Sequence, residues 1–566
     1  MKNMEVATIL YEVADLLEVK EEKFKPRAYR KAAGTVESLS KPIEELNQEE
    51  LIKLPGVGKS IAEKIEEIIE TGSLEYYENL KKEFAIDFES LHFVEGLGPK
   101  KIKRLYDELG VLDLDDLERA AKQHKIRELE GMGEKTEQNI LENIEFARKK
   151  TGRKLLGYIL PIAEQLKEKL KSFKPVLKVE IAGSIRRRKE TIGDIDILVV
   201  TKENEKVMDF FTGLENVDKV ILKGPSKSTV RLSDGIESDL RVINEESFGS
   251  ALMYFTGSKE TNIELRKVAI KQGLKLNEYG LFRGNEEIAG KTEQEIFQKL
   301  GMDYIEPELR ENRGEVKAAL EGNIPELIGF NDLKGDLQMH TKWSDGSYTI
   351  GEMAEKAREL GHEYIAITDH VGTLRIARGM DKNKIRDQMK EIENINREIN
   401  EITILKGAEV NIMSDGKLDM PNSVLKDLDV VVASIHSGFR QTEEKITDRM
   451  MSAMYNDNVD IIAHPTGRKI HERKAYELDI NRIFETSKDT KTFLEINSYP
   501  NRLDLNDINV KRAVESGCKL SIDTDSHSKA NLKHIKLGIA TARRGWAKKG
   551  DIINTLPLKK LEKLLS

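Results

Sequence analysis

Three patterns of apolar and polar positions follow one another along the 566-residue chain. Up to about residue 150 the chain reads as almost wholly helical, with short glycine-containing breaks and no convincing strand. One apolar stripe there, Ile61, Ile65, Ile68 and Ile69, falls at helical spacing. From about 155 to 315 the pattern is mixed: short β-branched runs (179-VEIAG-183, 195-IDILVV-200, 238-SDLRVI-243) alternate with charged helices and loops. A polar stretch from Glu315 to Asn331 follows, and beyond it apolar strands recur with helical segments between them. These are 364-YIAIT-368, 402-ITILKGAEV-410, 429-DVVVASI-435, 459-VDIIA-463, 492-TFLEI-496 and 519-KLSID-523. Strand–helix alternation of this kind predicts a parallel sheet or barrel. The expected layout is therefore multidomain: all-α modules at 1–85 and 86–150, an α+β domain at 151–315, a linker at 316–332 and a barrel at 333–566.

Composition narrows this picture only slightly. With 39% hydrophobic and 34% charged residues the chain reads as globular. It is too long for one core, and domains of roughly 100–200 residues would give three or four. The longest apolar runs, such as 194-DIDILVV-200, are too short to cross a bilayer, and the first residues mix acids with apolar side chains unlike a signal peptide. One cysteine, Cys518, allows neither an internal disulfide nor a thiolate zinc cage, which fits a cytoplasmic protein. The net charge of −8 argues against a uniformly basic nucleic-acid binder but leaves room for local basic faces.

The segment 54-LPGVGKSIAEKI-65 places two glycines around an apolar residue, just before an amphipathic helix. Similar breaks stand at 95-EGLGPKKIKRLY-106 and 130-EGMGEKTEQNI-140. Paired glycines, Gly56 with Gly58 and Gly96 with Gly98, let the backbone turn tightly between helices. They leave N–H groups at the next helix N-terminus facing outward, where a phosphate oxygen can bind. Lys59 and Lys100 follow closely, as expected for contacts that position a nucleic-acid backbone without reading its sequence. Lys64 borders the isoleucine stripe, and reads either as a snorkelling lysine or as an amine nucleophile toward an aldehyde sugar.

In 183-GSIRRRKETIGDIDILVV-200, Asp194 and Asp196 are two apart on a strand, so both carboxylates leave the same face. A third, Asp239, sits on a strand that can lie beside the first. Three convergent carboxylates suit a pair of magnesium or manganese ions that also bind substrate phosphates. Such a pair activates an attacking hydroxyl and stabilises the leaving oxygen in phosphoryl transfer. Gly183, Ser184, Arg186 and Arg187 supply a tight backbone, a hydroxyl and cations for a triphosphate.

Histidine placement is the clearest signal of the C-terminal half. Eight of ten histidines follow residue 331, and five sit in metal-like contexts beside apolar strands. Asp369-His370 follows YIAIT, Glu409 lies at the end of ITILKGA, His436 follows DVVVASI, His464 follows VDIIA, and Asp525-x-His527 follows KLSID. The entry motif 335-GDLQMHTKWSDG-346 adds His340 and Asp345. Strand C-termini converge on one face of a β/α barrel, where active sites are built. Imidazole and carboxylate without thiolate suit zinc, manganese or iron. About eight candidate ligands are too many for one ion, and imply two or three ions able to generate hydroxide and polarise a phosphodiester.

Family resemblances enter on these residues. The segment 24-FKPRAYRKAA-33 with 54-LPGVGKSIAEKI-65 resembles the lyase domain of DNA polymerase beta. Lys64 there matches the Schiff-base lysine, and Lys25, Tyr29 and Lys59 lie where phosphate contacts are expected, while Ser60 departs from a lysine. The G-S-x(9)-D-x-D arrangement resembles the nucleotidyltransferase superfamily, and 254-YFTGSKETNIELR-266 resembles the nucleotide-binding segment of family X polymerases. That resemblance implies that Tyr254 and Phe255 pack the incoming sugar, and that Gly257 and Ser258 make the turn beneath it. It implies further that Asn262 meets the incoming base and Arg266 the template. Residues 333 to 560 resemble the PHP family, a distorted (β/α)7 barrel, with His340, Asp345, His370, Glu409, His436, His464, Asp525 and His527 at its metal-holding positions. The family's opening H-x-H is here Gln338-x-His340. Together these imply a family X DNA polymerase of the bacterial and archaeal type with a C-terminal PHP domain. Expected of it are gap filling with dNTPs on gapped or primer–template DNA, 3′–5′ exonuclease and abasic-site cleavage, in a monomer. Two other readings stay open, a phosphatase of small phosphomonoesters and a DNA-end binding scaffold with inactive sites.

Overall fold

The computed structural model describes residues 3–20, 22–37, 39, 43, 46–71, 74–83, 91, 94, 97–150, 153–374 and 377–565. They form two compact units, residues 1–152 and 153–566. The first is helical throughout its described residues. Helices Asn3–Val19, Lys25–Glu37, Lys59–Thr71 and Glu75–Glu83 enclose a core that includes Leu10, Leu17, Ile65 and Ile68. Helices Pro99–Leu109, Leu114–Lys122 and Glu134–Lys150 enclose a second core around Ile102, Leu117 and Ile140. The glycine breaks share one construction. The apolar residue between the glycines, Val57, Leu97 or Met132, is buried, and a helix starts at once at Lys59, Pro99 or Glu134. Gly56 has φ +86°, and a Cβ there would stand 2.7 Å from Lys31 Cγ, so the turn admits no larger residue.

The second unit opens with a five-stranded sheet in the order Val176–Ile181, Asp194–Thr201, Glu237–Val242, Lys227–Leu232, Val217–Lys223. Only the pairing of Asp194–Thr201 with Glu237–Val242 is parallel. The run IDILVV is nearly all apolar because both faces of its strand are covered. Ile195, Ile197 and Val199 pack under helix Leu156–Ser172, while Leu198 and Val200 pack under helix Phe248–Thr256. Asp194 and Asp196 share the parity of Leu198, so they emerge on the Phe248–Thr256 side. A smaller domain follows, built from helix Lys259–Lys271, a three-stranded sheet over 275–289 and helix Glu293–Lys299.

The stretch 316–332, expected as a linker, is instead structured. Val316 and Ala319 of helix Glu315–Leu320 enter the core of the smaller domain, with Ile324 and Leu327 against it, and Ile328 enters the barrel's core. Its polar residues masked this, because one apolar face per turn is enough to dock so short a helix.

Seven parallel strands form the barrel: Gly335–Asp336, Tyr364–Ile367, Thr403–Asn411, Val430–Ser434, Ile461–Ile462, Phe493–Asn497 and Leu520–Asp523, each paired with the next. A bridge between Met339 and Ser526 brings first and last together, and the short strand His370–Val371 pairs beside Glu409 and Val410. The barrel is fused to the sheet domain. Leu503 and Leu537 complete the core under that sheet, and Arg468 pairs with Glu190 at 2.7 Å.

Candidate active sites

The parallel pairing sets Asp196 directly opposite Asp239 and Asp194 opposite Glu237, so the carboxylates expected to converge are brought together. Gly183 has φ +61°, and a Cβ on it would collide with the Asp196 carboxylate, which is why a glycine opens this turn. Burial, then Asp194 and Asp239, pushes Asp196 up to about 7. Burial, then Asp239, raises Asp194 as well. Asp239 is anchored by the Thr229 hydroxyl at 2.5 Å and Lys227 Nζ at 2.6 Å. The Ser184 hydroxyl is buried with no hydrogen-bond partner. Crowded carboxylates that resist ionisation, beside an unused hydroxyl, fit divalent cations and a phosphate ligand.

A cavity of about 480 Å³ is lined by Gly183, Ser184, Arg187, Asp194, Asp196, Tyr254, Phe255, Gly257, Asn262 and Arg266. Ser258 lies beneath, capping helix Lys259–Lys271 through Thr261 N. Asn262 Nδ2 donates to Tyr254 O at 2.7 Å, which fixes both against the opening. Arg186, expected among the cations, is not available. Its guanidinium is committed to Glu293 (2.6 and 2.9 Å) and Thr256 Oγ1, because a buried Glu293 requires a counter-charge. Arg153, absent from the sequence reading, lines the cavity instead. It arrives through pairing of residues 154–155 with 191–192, and nothing in its local pattern marks it out.

In the barrel every expected ligand comes from a strand end or the loop after it. His340, Asp345, His370 and His527 offer ligand atoms within 4.8 Å of one another, as do His370, Glu409 and His436, and His340, Glu409 and Asp525. His464 Nε2 lies 3.5 Å from Glu409 Oε1. His340 Nε2 stands 3.2 Å from Asp525 Oδ1 and 3.4 Å from Glu409 Oε2. Such separations suit donor atoms each about 2.0–2.2 Å from a common ion. Sharing of His340, His370 and Glu409 between groups fits more than one ion.

The donors are otherwise unused. Both ring nitrogens of His340 and His464, Glu409 Oε1, and both amide atoms of Gln338 are buried without a hydrogen bond. Gln338 thus has a buried amide oxygen that no hydrogen bond engages. His527 Nδ1 lies 2.8 Å from the Asp525 carbonyl, which only accepts, so Nδ1 carries a proton, and Nε2 faces Asp345 Oδ2 at 3.4 Å. Burial opposes ionisation of Glu409, yet His370 and His436 hold it well below the usual carboxylate range.

Asp369 turns away from this cluster. It accepts from Thr341 N and Oγ1, Ser344 Oγ and Gln388 Nε2, and so fixes the loop that carries His340 and Asp345. Arg502 was not foreseen. Its Nε lies 3.6 Å from Asp525 Oδ2 and its Nη1 is buried without a partner. Only chain folding across the barrel reveals it, since 501-NRLDL-505 carries no metal-like signature.

In the helical unit Lys64 Nζ lies 3.1 Å from Ser60 Oγ and 5.1 Å from the Tyr76 ring centroid. Tyr29 is buried at 6% exposure and stacks on Tyr76, and burial raises its hydroxyl far above the usual range. Its ring packs in the core of this unit. Lys25 pairs with Glu22 at 2.9 Å, and Lys59 is exposed at its helix start. Gly58 lies in open space, as does Gly98, which starts the helix carrying Lys100. Lys100 lines a groove of about 580 Å³ with Lys23, Arg27, Arg30, Lys103 and Arg104. Gly96 lies outside the described residues.

Fold and sites together define a nucleotidyltransferase joined to a barrel that carries candidate metal-binding groups. Comparison with known proteins agrees along the whole chain. Family models match for a helix-hairpin-helix domain over residues 1–74, a SAM-like helix-hairpin-helix tandem over 88–145, a DNA polymerase beta palm over 159–232, a DNA polymerase beta thumb over 251–311 and a PHP domain over 336–499. The DNA polymerase/3'-5' exonuclease PolX of Bacillus subtilis (strain 168) is 39% identical over 570 residues, covering 100% of this chain and 99% of its own. DNA polymerase lambda of Rattus norvegicus is 25% identical over 339 residues, 55% of this chain and 56% of its own. A probable phosphatase of Thermoanaerobacter sp. (strain X514) is 30% identical over 231 residues, 39% of this chain and 89% of its own. The chain belongs to the PolX family of DNA polymerases with a PHP domain.

Proposed function

We propose that this protein is a DNA repair polymerase that fills short gaps from dNTPs and trims 3′ ends with its barrel. It would act as a cytoplasmic monomer on gapped or primer–template DNA. The observation that carries this reading is the presence of two separate sites suited to phosphate chemistry, each with unsatisfied buried donors or acceptors and each overlapping a matching family segment. Asp194, Asp196 and Asp239 would hold magnesium or manganese, which activates the primer hydroxyl and steadies the leaving oxygen. Ser184 and Arg187 orient the triphosphate, Tyr254 and Phe255 pack the sugar, Asn262 faces the base and Arg266 the template. In the barrel, the eight histidine and carboxylate ligands with Gln338 would hold two or three manganese, zinc or iron ions, which supply hydroxide and polarise the phosphodiester.

The glycine turns at Gly56–Gly58 and Gly98, with Lys25, Lys59 and Lys100, would hold the DNA backbone. Lys64 would serve as the lyase amine, and cleavage at abasic sites would fall to the barrel. Among the described residues no helix is long and apolar enough to cross a membrane. A small-phosphoester phosphatase has no use for the helical modules or for the nucleotide cavity.

One gel assay tests the reading, using a labelled primer at a single-nucleotide gap with a 5′-phosphate. It is run with Mn²⁺ or Mg²⁺, with and without dNTPs. Extension with dNTPs and shortening without them are expected. An unchanged primer in all lanes would return the phosphatase and scaffold readings.

A further inference from the structure

A buried side chain of the barrel domain bonds to the backbone of Arg187, a residue of the cavity wall. Arg544 ends helix Ile535–Arg544, deep in the barrel domain's sequence, and is 5% exposed. Its Nε and Nη2 donate to Asp507 Oδ2 at 3.0 and 2.6 Å. Its Nη1 turns the other way and donates to the backbone carbonyl of Arg187 at 2.6 Å and to Glu311 Oε1 at 3.1 Å. Arg187 closes the short helical turn Gly183–Arg186 and lines the cavity. Its own Nε donates to the same Glu311 oxygen at 2.8 Å, and its Nη1 to the carbonyl of Thr256, one residue before Gly257.

We infer that Arg544 is a positioning residue for nucleotide binding: a guanidinium from the nuclease domain holds the Ser184–Arg187 turn in place for the triphosphate. The inference rests on the reading of that turn as the nucleotide site. Without Arg544, the Arg187 carbonyl loses this donor, and Glu311 faces Arg187 with one cation fewer. The turn can then shift relative to Asp196, whose carboxylate packs against Gly183. Hydrogen bonds to charged groups are each worth about tenfold or more in an equilibrium constant. The loss should therefore fall on dNTP affinity.

The test is single-nucleotide gap filling by the full chain, with KM for dNTP and kcat measured separately, and primer shortening followed without dNTPs. Arg544→Ala should raise KM for dNTP about tenfold or more, change kcat less, and leave shortening intact. Arg544→Lys, with one charge and fewer donors, should recover part of the loss. Asp507→Asn keeps the guanidinium that reaches Arg187 and Glu311 and weakens only its anchorage within the barrel and the Asp507–Arg313 pair, so it should raise KM less than Arg544→Ala. An unchanged KM in Arg544→Ala would overturn the inference, and so would an equal fall in both activities or an equal effect of Asp507→Asn. Ser184→Ala serves as the control for the site. If it leaves KM for dNTP unchanged, the turn is not the nucleotide site, and that reading falls first and takes the inference with it.

Discussion

Glu293 offers a perturbation whose size can be worked from the structure. It is 3% exposed and lies between Arg310, which is fully buried, and Arg186, with Tyr304 donating to it at 3.0 Å. Burial opposes its charge, but Arg310 and Arg186 outweigh it and lower its pKa from 4.5 to about 2. A depression of that size corresponds to roughly 3 kcal/mol. An independent route gives a similar figure, since removing one partner of a buried ion pair costs about 3–5 kcal/mol. Because the folded pKa lies below the unfolded one, this contribution is complete above about pH 4.5 and is lost as pH falls toward about 2.

Glu293→Gln should therefore lower protection of amides in helix Phe248–Thr256 and in residues 293–310 by about a hundredfold at pH 7, as followed by hydrogen exchange with mass spectrometry. Exchange reports the local unit, which suits a multidomain chain better than one melting temperature. The difference between variant and parent should shrink as the pH is lowered from 5 to 3. Equal protection at pH 7, or a deficit that ignores pH, would refute the assignment of stability to this ion pair.

Three further outcomes follow from the two sites. Asp239→Ala should abolish primer extension while shortening persists, and His436→Ala should do the reverse; a nuclease undiminished by His436→Ala would contradict the metal assignment. Gly183→Ala should reduce extension at least tenfold, because it forces φ +61° on an alanine and pushes the Asp196 carboxylate aside; steady-state gap filling would show whether the turn tolerates it. Gln338→His should lower the manganese concentration needed for half-maximal shortening, since imidazole is a stronger donor than an amide oxygen. A midpoint that does not move would remove Gln338 from the ligand set.

Much of this was legible because the chemistry sits on short local signals. Two aspartates two apart ahead of an apolar run specify one strand face, and the histidines follow β-branched strands whose ends must converge in a barrel. The residues that escaped are those whose meaning depends on distant partners. Arg186 and Arg187 are neighbours of the same type, yet Glu293 claims one guanidinium, while the other lines the cavity with Glu311 and the Thr256 carbonyl holding it there. Arg153 and Arg502 belong to their sites only through pairings made elsewhere in the fold. Tyr29 is expected at a phosphate contact from the resemblance of 24-FKPRAYRKAA-33, and only the fold shows that its ring also completes a helical core.

The misread linker has the same origin, and it bears on how the two activities coexist. Residues 316–332 pack into the smaller domain at one end and the barrel at the other. Leu503 and Leu537 of the barrel finish the core under the carboxylate-bearing sheet. Apolar side chains shared in this way remove water from both partners at once, so neither domain buries its core fully alone. Burial of this kind is non-directional and tolerates sliding. Ion pairs such as Arg468–Glu190 and Arg544–Glu311 fix the register. A nuclease domain held in register with the sheet makes the distance between the two sites a property of the fold rather than of a tether.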